Sequence, residues 1–190
     1  YQFCGKPHHE KGSFTMDKGN KHAHYPVIPN AHDSVVSICA QQMETRYGER
    51  PPEEINRRVT KELDAIADKS SASMYLIAQR LLERSAQMGQ LMAIRDKAGS
   101  SFVAFLLGIT GINPLPAHYR CEACRHVEFV PEAASGYDLP DKRCPDCNSM
   151  MYGDGHDIPF ETFGGLTGER ISAFYWWSAS AFHMNVTQVL

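Results

Sequence analysis

The sequence has no long apolar run and no strong excess of either charge. Near the C-terminus, residues 171–190 carry no Asp, Glu, Lys or Arg, but their seven polar residues make them too polar to span a bilayer. The formal net charge of −3 gives no general attraction to nucleic acid or to a membrane surface. We therefore expect no membrane partner. Tyr1 is not followed by the apolar segment of a signal peptide, which favours an intracellular chain.

Cysteine is also scarce, but four of the six cysteines form two closely spaced pairs, separated by 19 residues. The pairs are Cys121 with Cys124 and Cys144 with Cys147. Two Cys-x-x-Cys pairs supply four thiolates, a typical ligand set for tetrahedral Zn²⁺. Two disulfides are the alternative, which an intracellular chain disfavours. Since four thiolates leave no position for water or substrate, we expect the zinc to be structural; Cys4 and Cys39 are expected to be unpaired thiols.

Basic residues are too few around these cysteines for a typical nucleic-acid ribbon. From residue 116 to residue 150, four basic residues stand against six acidic ones. Phosphate contacts dominate the affinity of a freestanding nucleic-acid ribbon, so such a module is expected to be basic. The composition therefore favours a structural clip that projects from a larger domain.

A helical pattern runs from residue 33 to residue 89. Pro51 and Pro52 begin one helix, whose N-terminal dipole is complemented by acidic residues, and Glu54 is expected to pair with Arg58. Apolar residues then recur at helical spacing; they are Ile55, Val59, Leu63 and Ile66. A second helix begins near Ser70 and ends at Gly89.

A short apolar run at residues 91–94 is followed by polar residues and then by a Gly-Ser-Ser segment before an apolar helix. Backbone N–H groups and hydroxyls at Gly99, Ser100 and Ser101 could hold an anion, and Arg95 could add charge. The simpler alternative is an ordinary helix cap. The residues alone leave both interpretations open.

Several uncommon blocks occur in a fixed order around the cysteine pairs. They are 99–104 (GSSFVA), 108–110 (GIT), 113–119 (NPLPAHY), 136–142 (GYDLPDK) and 154–163 (DGHDIPFETF). This order resembles the PolC-type bacterial DNA polymerase III alpha subunit over residues 47–171. The resemblance implies an α+β fold: a helical segment plus a partial palm of the nucleotidyltransferase type, with an inserted zinc ribbon. It also implies a fragment of a much longer bacterial enzyme of the cytoplasm.

The resemblance divides the chain into five parts. They are an N-terminal loop or edge of a preceding domain (1–32), a helical segment and early palm (33–116), a zinc ribbon (117–150), a return to the palm (151–171) and a divergent aromatic tail (172–190). The aromatic run Phe174-Tyr-Trp-Trp177 follows no strand or helix period. Histidines of the first part, such as His8 and His22, are expected in a solvated loop rather than as metal ligands.

The resemblance implies template-directed DNA synthesis, with the rest of the polymerase chain, primer–template DNA and dNTP as partners. In that family a Gly-Ser-rich loop holds the triphosphate; here Gly99, Ser100, Ser101 and Arg95 match it, whereas Asp96 stands where a Gly-Ser unit is expected. A later Pro-Asp-x-Asp segment holds the catalytic Mg²⁺ ions. This chain has Ala173 and Tyr175 at those positions, so we expect no catalytic residue and no activity from the chain alone.

Two further questions stay open on the sequence. The chain could instead be a stand-alone zinc-ribbon protein that binds other proteins or has a structural role without catalysis. The end of the resemblance near Ile171 fits a truncated or frameshifted reading frame, a diverged inactive relative or an artificial sequence.

Overall fold

The computed structural model describes residues 11–15, 27–67, 69–90, 92–160 and 173–178. These residues form an α+β fold. The helices are α1 (Ala31–Tyr47), α2 (Glu53–Ala65), α3 (Lys69–Gln87) and α4 (Phe102–Leu106). The strands are β1 (Lys11–Thr15), β2 (Met92–Arg95), β3 (His118–Cys121), β4 (Val127–Phe129), β5 (Lys142–Arg143), β6 (Met150–Asp154) and β7 (Ala173–Ser178). Short 3-10 turns occupy Asp96–Ser100 and Gly136–Asp138.

The helices form where the apolar spacing predicts them. In α1 the buried residues recur every four positions; they are Ala31, Val35, Cys39, Met43 and Tyr47. Gly48 ends this helix with a φ of 81°, and its N–H donates to the carbonyl of Glu44. Pro52 precedes α2, and Ile55 and Ile66 of the predicted stripe are fully buried.

The main core is enclosed by the four helices. Tyr75 of α3 and Phe102 of α4 are its largest fully buried side chains, and Leu115 and Phe160 extend it beyond the helices. Burial of such aromatic and aliphatic side chains contributes ~1.5–3 kcal/mol each to folding. The core therefore places α4 and the turn before it against α2 and α3.

Two antiparallel sheets flank this helical core. The strand order is β1-β7-β2 in one sheet and β4-β3-β6-β5 in the other. The second sheet carries both cysteine pairs. We call residues 117–150 together with β6 the ribbon. Among the described residues, none of the helices is both long and apolar enough to cross a membrane.

The aromatic run near the C-terminus is a strand, and our expectation that it follows no strand pattern was wrong. β7 is the central strand of its sheet, with Phe174 opposite Phe14 and Trp177 opposite both Lys11 and Ala93. Aromatic residues favour strands, but they do so through packing against neighbouring strands that the local sequence does not show. Cys4 and the histidines at positions 8, 9, 22 and 24 lie outside the described residues.

Two glycines let the 3-10 turn at Gly136–Asp138 approach β6. A Cβ atom on Gly136 would lie 1.9 Å from the carbonyl oxygen of Asp154, and one on Gly153 would lie 2.0 Å from the carbonyl oxygen of Gly136. Real Cβ atoms do not come this close to backbone oxygens, so either side chain would force the two segments apart. The turn is therefore built for glycine at both positions.

We expect Gly136→Ala to lower the free energy of unfolding by ~2–4 kcal/mol, because the added methyl must displace backbone. Chemical denaturation of the purified chain measures this change. Gly111→Ala is the matched control, since nothing lies within 4 Å of its Cβ position, and its effect should stay below ~1 kcal/mol. Equal stability of the two variants would contradict the close approach of the turn to β6.

Candidate metal centre

The two cysteine pairs form turns of the same geometry. In the first turn the N–H of Arg125 donates to the carbonyl of Cys121 (3.0 Å) and that of Cys121 to the carbonyl of His126 (2.9 Å). In the second turn the N–H of Asn148 donates to Cys144 (2.9 Å) and that of Cys144 to Ser149 (2.8 Å). The residue after each pair, Arg125 or Asn148, has a positive φ of 66° or 61°. Each turn thus presents two sulfurs to one point.

The four sulfur atoms converge as the spacing predicts. All lie within 4.8 Å of one another, with Cys121 and Cys147 separated by 3.4 Å and Cys124 and Cys144 by 3.5 Å. These separations exclude disulfides, whose sulfurs are about 2.05 Å apart. They are close to the spacing of about 3.8 Å that a tetrahedral ion with Zn–S bonds of 2.3 Å gives. The donor set therefore fits a single tetrahedral metal ion.

Surrounding contacts tie the two turns together. The ring of His126 lies 2.7 Å from Asp146, which joins one turn to the other, and Lys142 contacts Glu128 at 2.6 Å. Hydrogen bonds from Ser149 lower the pKa of Cys147 to about 6. The pKa of Cys124 is raised to about 12: a backbone hydrogen bond from His126 lowers it, but burial and hydrogen bonds with the other three cysteines outweigh that contact. Burial also raises the pKa of Cys39 to about 12, so this isolated thiol is unreactive.

The ribbon has very little core of its own. Only Tyr119, Cys121, Cys144 and Met151 are buried in its cluster, with Val130 and Leu139 packed beside them. Two of these four residues, Cys121 and Cys144, belong to the cysteine cluster. A core of this size is too small to stabilise a fold by itself, so an ion bound by the four cysteines would contribute folding free energy directly.

The segment expected to hold phosphate lies at the start of α4. Gly99 and Ser100 are in the 3-10 turn, and Ser101 is the N-cap, whose hydroxyl accepts from the N–H of Ala104 (3.1 Å). Arg95 is the last residue of β2, opposite Tyr175 of β7. Arg95 therefore lies just before the turn that contains Gly99 and Ser100, and Ser101 lies just after it. That these residues bind a nucleotide phosphate stays a prediction.

A carboxylate already occupies the N-terminus of α4. Glu62, which is fully buried, accepts hydrogen bonds from the N–H of Phe102 (2.9 Å), the N–H of Val103 (3.0 Å) and the hydroxyl of Ser101 (2.9 Å). Burial raises the pKa of the Glu62 carboxyl, while Arg58 and these donors act in the opposite direction. This residue supplies the anion that the free amides of a helix start require.

Arg58 completes this buried group. Its Nε binds Glu62, and its Nη2 donates to the carbonyls of Ser100 (2.8 Å) and Ile158 (2.9 Å). The expected pairing of Arg58 with Glu54 is therefore wrong, because the partner lies four residues after Arg58 rather than before it. The sequence analysis did not predict the role of Glu62. Its position gave a signal, because Glu62 lies at helical spacing within the apolar stripe of Ile55, Val59 and Ile66, where a charged residue is expected to be buried and paired.

The chain belongs to the family described as Bacterial DNA polymerase III alpha NTPase domain, because the model of that family matches residues 33–173. The DNA polymerase III PolC-type of Thermotoga petrophila is 46% identical over 153 residues, 80% of this chain and 11% of that protein. The PolC-type polymerase of Pediococcus pentosaceus is 47% identical over 148 residues, 77% of this chain and 10% of the relative. That of Thermotoga maritima is 45% identical over 153 residues, again 80% and 11%.

The match confirms the resemblance that the sequence blocks predict. It begins at residue 33, upstream of the expected start at Tyr47, so that α1 also belongs to the shared region. The chain spans about a tenth of the length of the curated relatives it matches. It therefore corresponds to a part of a much larger polymerase.

Proposed function

We propose that this chain is a scaffold segment from the catalytic region of a PolC-type replicative DNA polymerase, acting in the bacterial cytoplasm. The observation that carries the proposal is the convergence of four cysteine sulfurs within a chain that the polymerase family matches over residues 33–173. Its partners would be the remainder of the polymerase chain, primer–template DNA and dNTP. We also propose the division of the chain into the five parts that the resemblance implies, among them a zinc ribbon at 117–150.

The ribbon would be held by Zn²⁺ bound to Cys121, Cys124, Cys144 and Cys147. When bound, the ion supplies structural cross-linking, because four thiolates leave no position for a reacting water. The protein's own part is to fix the two turns: Arg125 and Asn148 adopt the left-handed backbone that aims the sulfurs, and the His126–Asp146 contact joins the turns. The ribbon would then dock onto the core through His118, which is fully buried.

The sheet of β1, β7 and β2 would correspond to part of the palm. The positions that the resemblance assigns to the metal-binding aspartates, Ala173 and Tyr175, lie on the central strand, and Tyr175 is opposite Arg95 at the end of β2. This register supports the proposal, since it brings the implied metal positions beside the implied phosphate turn. Neither alanine nor tyrosine offers a carboxylate for Mg²⁺, so we propose that the chain alone is inactive.

A pair of chimaeras tests this proposal. Residues 33–160 of this chain would replace the matching segment of the Thermotoga maritima PolC-type polymerase, leaving the relative's own downstream sequence in place. We expect this chimaera to extend a primer with dNTP and Mg²⁺ at a rate within about tenfold of the parent, because the scaffold is equivalent. A chimaera carrying residues 33–178 also brings Ala173 and Tyr175, and we expect it to lose extension by a factor of about 10³ or more, as expected when metal-ligand carboxylates are removed.

Zinc content and thermal unfolding of both chimaeras show that each has folded. An inactive but folded first chimaera would contradict the equivalence of the scaffold. An active second chimaera would contradict the assignment of the aspartate positions. In either case the outcome does not depend on whether the isolated chain binds DNA.

A further inference from the structure

A cleft of about 310 Å³ lies between the helical core and the ribbon, and no cysteine lines it. Two arginines, Arg46 from α1 and Arg120 from β3, face it together with the tyrosines Tyr137 and Tyr152. We propose that this cleft is a docking surface for a partner protein, which it binds through an acidic peptide whose carboxylates alternate with aromatic or aliphatic side chains.

Apolar side chains are exposed around the rim of the cleft. Tyr137 and Tyr152 are 71% and 56% exposed. Ile112, which follows Gly111 of the lining, and Met150, which lies on the same face of β6 as Tyr152, are exposed as well. A patch of this kind marks an interaction site on a folded protein. Tyrosine, methionine and arginine are enriched at protein interfaces, and tyrosine and arginine supply many of the residues that dominate binding.

Arg46 supplies the first basic anchor, and one of its donors is unsatisfied. The guanidinium lies 4.7 Å from the ring centre of Phe105, and this stacking holds the planar group in place. Its Nε is buried, and within the described ranges it has no hydrogen-bond acceptor. A buried donor without an acceptor is costly, and a carboxylate matches the planar donor arrangement of arginine. An acidic side chain of the partner would therefore relieve this cost.

Arg120 supplies the second anchor on the ribbon wall. Its side chain is 19% exposed and donates to Glu122 at 3.2 Å, whereas the side chain of Glu122 is 72% exposed. Pairs with a largely exposed partner contribute little, so a carboxylate of the docked peptide can replace Glu122. Tyr152 is the cross-strand partner of Arg120, which places its ring beside the anchor. An apolar residue next to the bound carboxylate would then contact that ring.

The charge balance of the cleft favours a peptide over a nucleic acid. The two arginines are matched by two carboxylates of the lining, Glu122 and Asp154. Both oxygens of Asp154 accept from uncharged donors, the side chain of Asn113 and the N–H of Gly155, each at 2.8 Å. A phosphate backbone carries a charge at every nucleotide and would be repelled by these carboxylates. A peptide can instead place single carboxylates at the arginines and apolar side chains elsewhere.

The cleft is open and partly organised before a partner arrives. The ring of Tyr137 stacks on His156, with the ring centres 5.0 Å apart and the planes 18° apart. This stack fixes one aromatic surface in advance, which lowers the entropic cost of binding. No atom lies within 4 Å of the position that a Cβ on Gly111 would take. The space in front of Gly111 can therefore hold a side chain of the partner.

The test begins with a phage-displayed library of random dodecapeptides selected on the immobilised full chain. We expect the enriched sequences to combine Asp or Glu with aromatic or aliphatic residues. Gly111→Phe fills the open space, so it should no longer retain these peptides, whereas the matched control Gly111→Ala should retain them. An enriched peptide is then labelled and its affinity for the full chain is measured by fluorescence anisotropy.

Substitutions in the cleft should change this affinity in both directions. Arg46→Ala and Arg120→Ala should each weaken binding about tenfold or more, as should Asn in place of Asp in the peptide. Glu122→Gln should tighten binding about twofold, because it removes the competing carboxylate, an effect that loss of folding cannot produce. Arg57→Ala, an exposed arginine on α2, is the control and should have no effect. Zinc content and thermal unfolding show that each variant is folded.

Five results would overturn the inference. The first two are that no enriched peptide is lost with Gly111→Phe, and that the enriched peptides lack acidic residues. Displacement of the peptide by a shorter or equal length of oligodeoxythymidine at lower concentration would assign the cleft to nucleic acid. Self-association that Gly111→Phe abolishes, measured by sedimentation, would assign it to a second copy of the chain. A folded 33–160 chimaera that fails to bind the peptide would assign it to the remainder of the polymerase. None of these results affects the primer-extension test of the proposed function.

Discussion

Replacement of Cys121 with serine is expected to release the bound zinc and to unfold the ribbon while leaving the helices formed. Apparent binding free energies of structural zinc in small domains are ~10–16 kcal/mol, and the ribbon cluster outside the metal site is too small to replace that contribution. The helices around Leu63 and Leu81 belong to a different core and do not require the ion. Elemental analysis measures the zinc, and proteolysis of residues 117–150 measures local unfolding.

Cys39→Ser is the matched control for loss of a thiol. Cys39 is buried in α1 and lies in the helical core, so this variant should keep one zinc per chain even if its overall stability falls. Circular dichroism should show the helical signal in both variants. Full zinc retention by Cys121→Ser, or by Cys144→Ser, would contradict the four-cysteine site.

The second large effect is expected at Glu62. In Glu62→Gln an amide replaces a buried carboxylate that accepts from two backbone amides of α4, from Ser101 and from Arg58. The change leaves the guanidinium of Arg58, whose side chain is 16% exposed, without its counter-charge. Breaking a buried ion pair by removing one partner usually costs ~3–5 kcal/mol. We expect a loss of that size in the free energy of unfolding, measured by chemical denaturation.

Glu53→Gln on the same helix is the control for removing a glutamate charge. Glu53 also forms an i,i+4 pair, with Arg57 at 3.1 Å, but both side chains are largely exposed. Its loss should change stability by no more than ~0.5 kcal/mol. Similar effects of the two substitutions would show that Glu62 does not hold the start of α4.

The sequence predicted the parts of the molecule that local spacing controls. Helical periodicity predicted α2 and α3, and the spacing of the cysteines predicted that the four sulfurs converge, because each turn is closed by hydrogen bonds within six residues. The Gly-Ser-Ser segment was correctly placed before a helix. In each of these cases the relevant contacts lie within a few turns of backbone.

The features that were missed depend on contacts between distant segments. Glu62 meets Val103 across 41 residues, so the helix start that resembled an anion site already holds an anion from the chain itself. β7 is a strand because β1 and β2 pair with it from both sides. The aromatic residues of β7 alone do not predict this pairing, since both partner strands are distant in the sequence.

We propose that a single structural zinc ion holds the ribbon of this polymerase segment together. The most direct test is the metal content of the purified chain by elemental analysis, combined with a count of reactive thiols before and after addition of a zinc chelator. We predict one zinc per chain, with four additional thiols becoming reactive on chelation. A chain without zinc, with a folded ribbon and the four ribbon thiols reactive from the start, would contradict the four-cysteine zinc site.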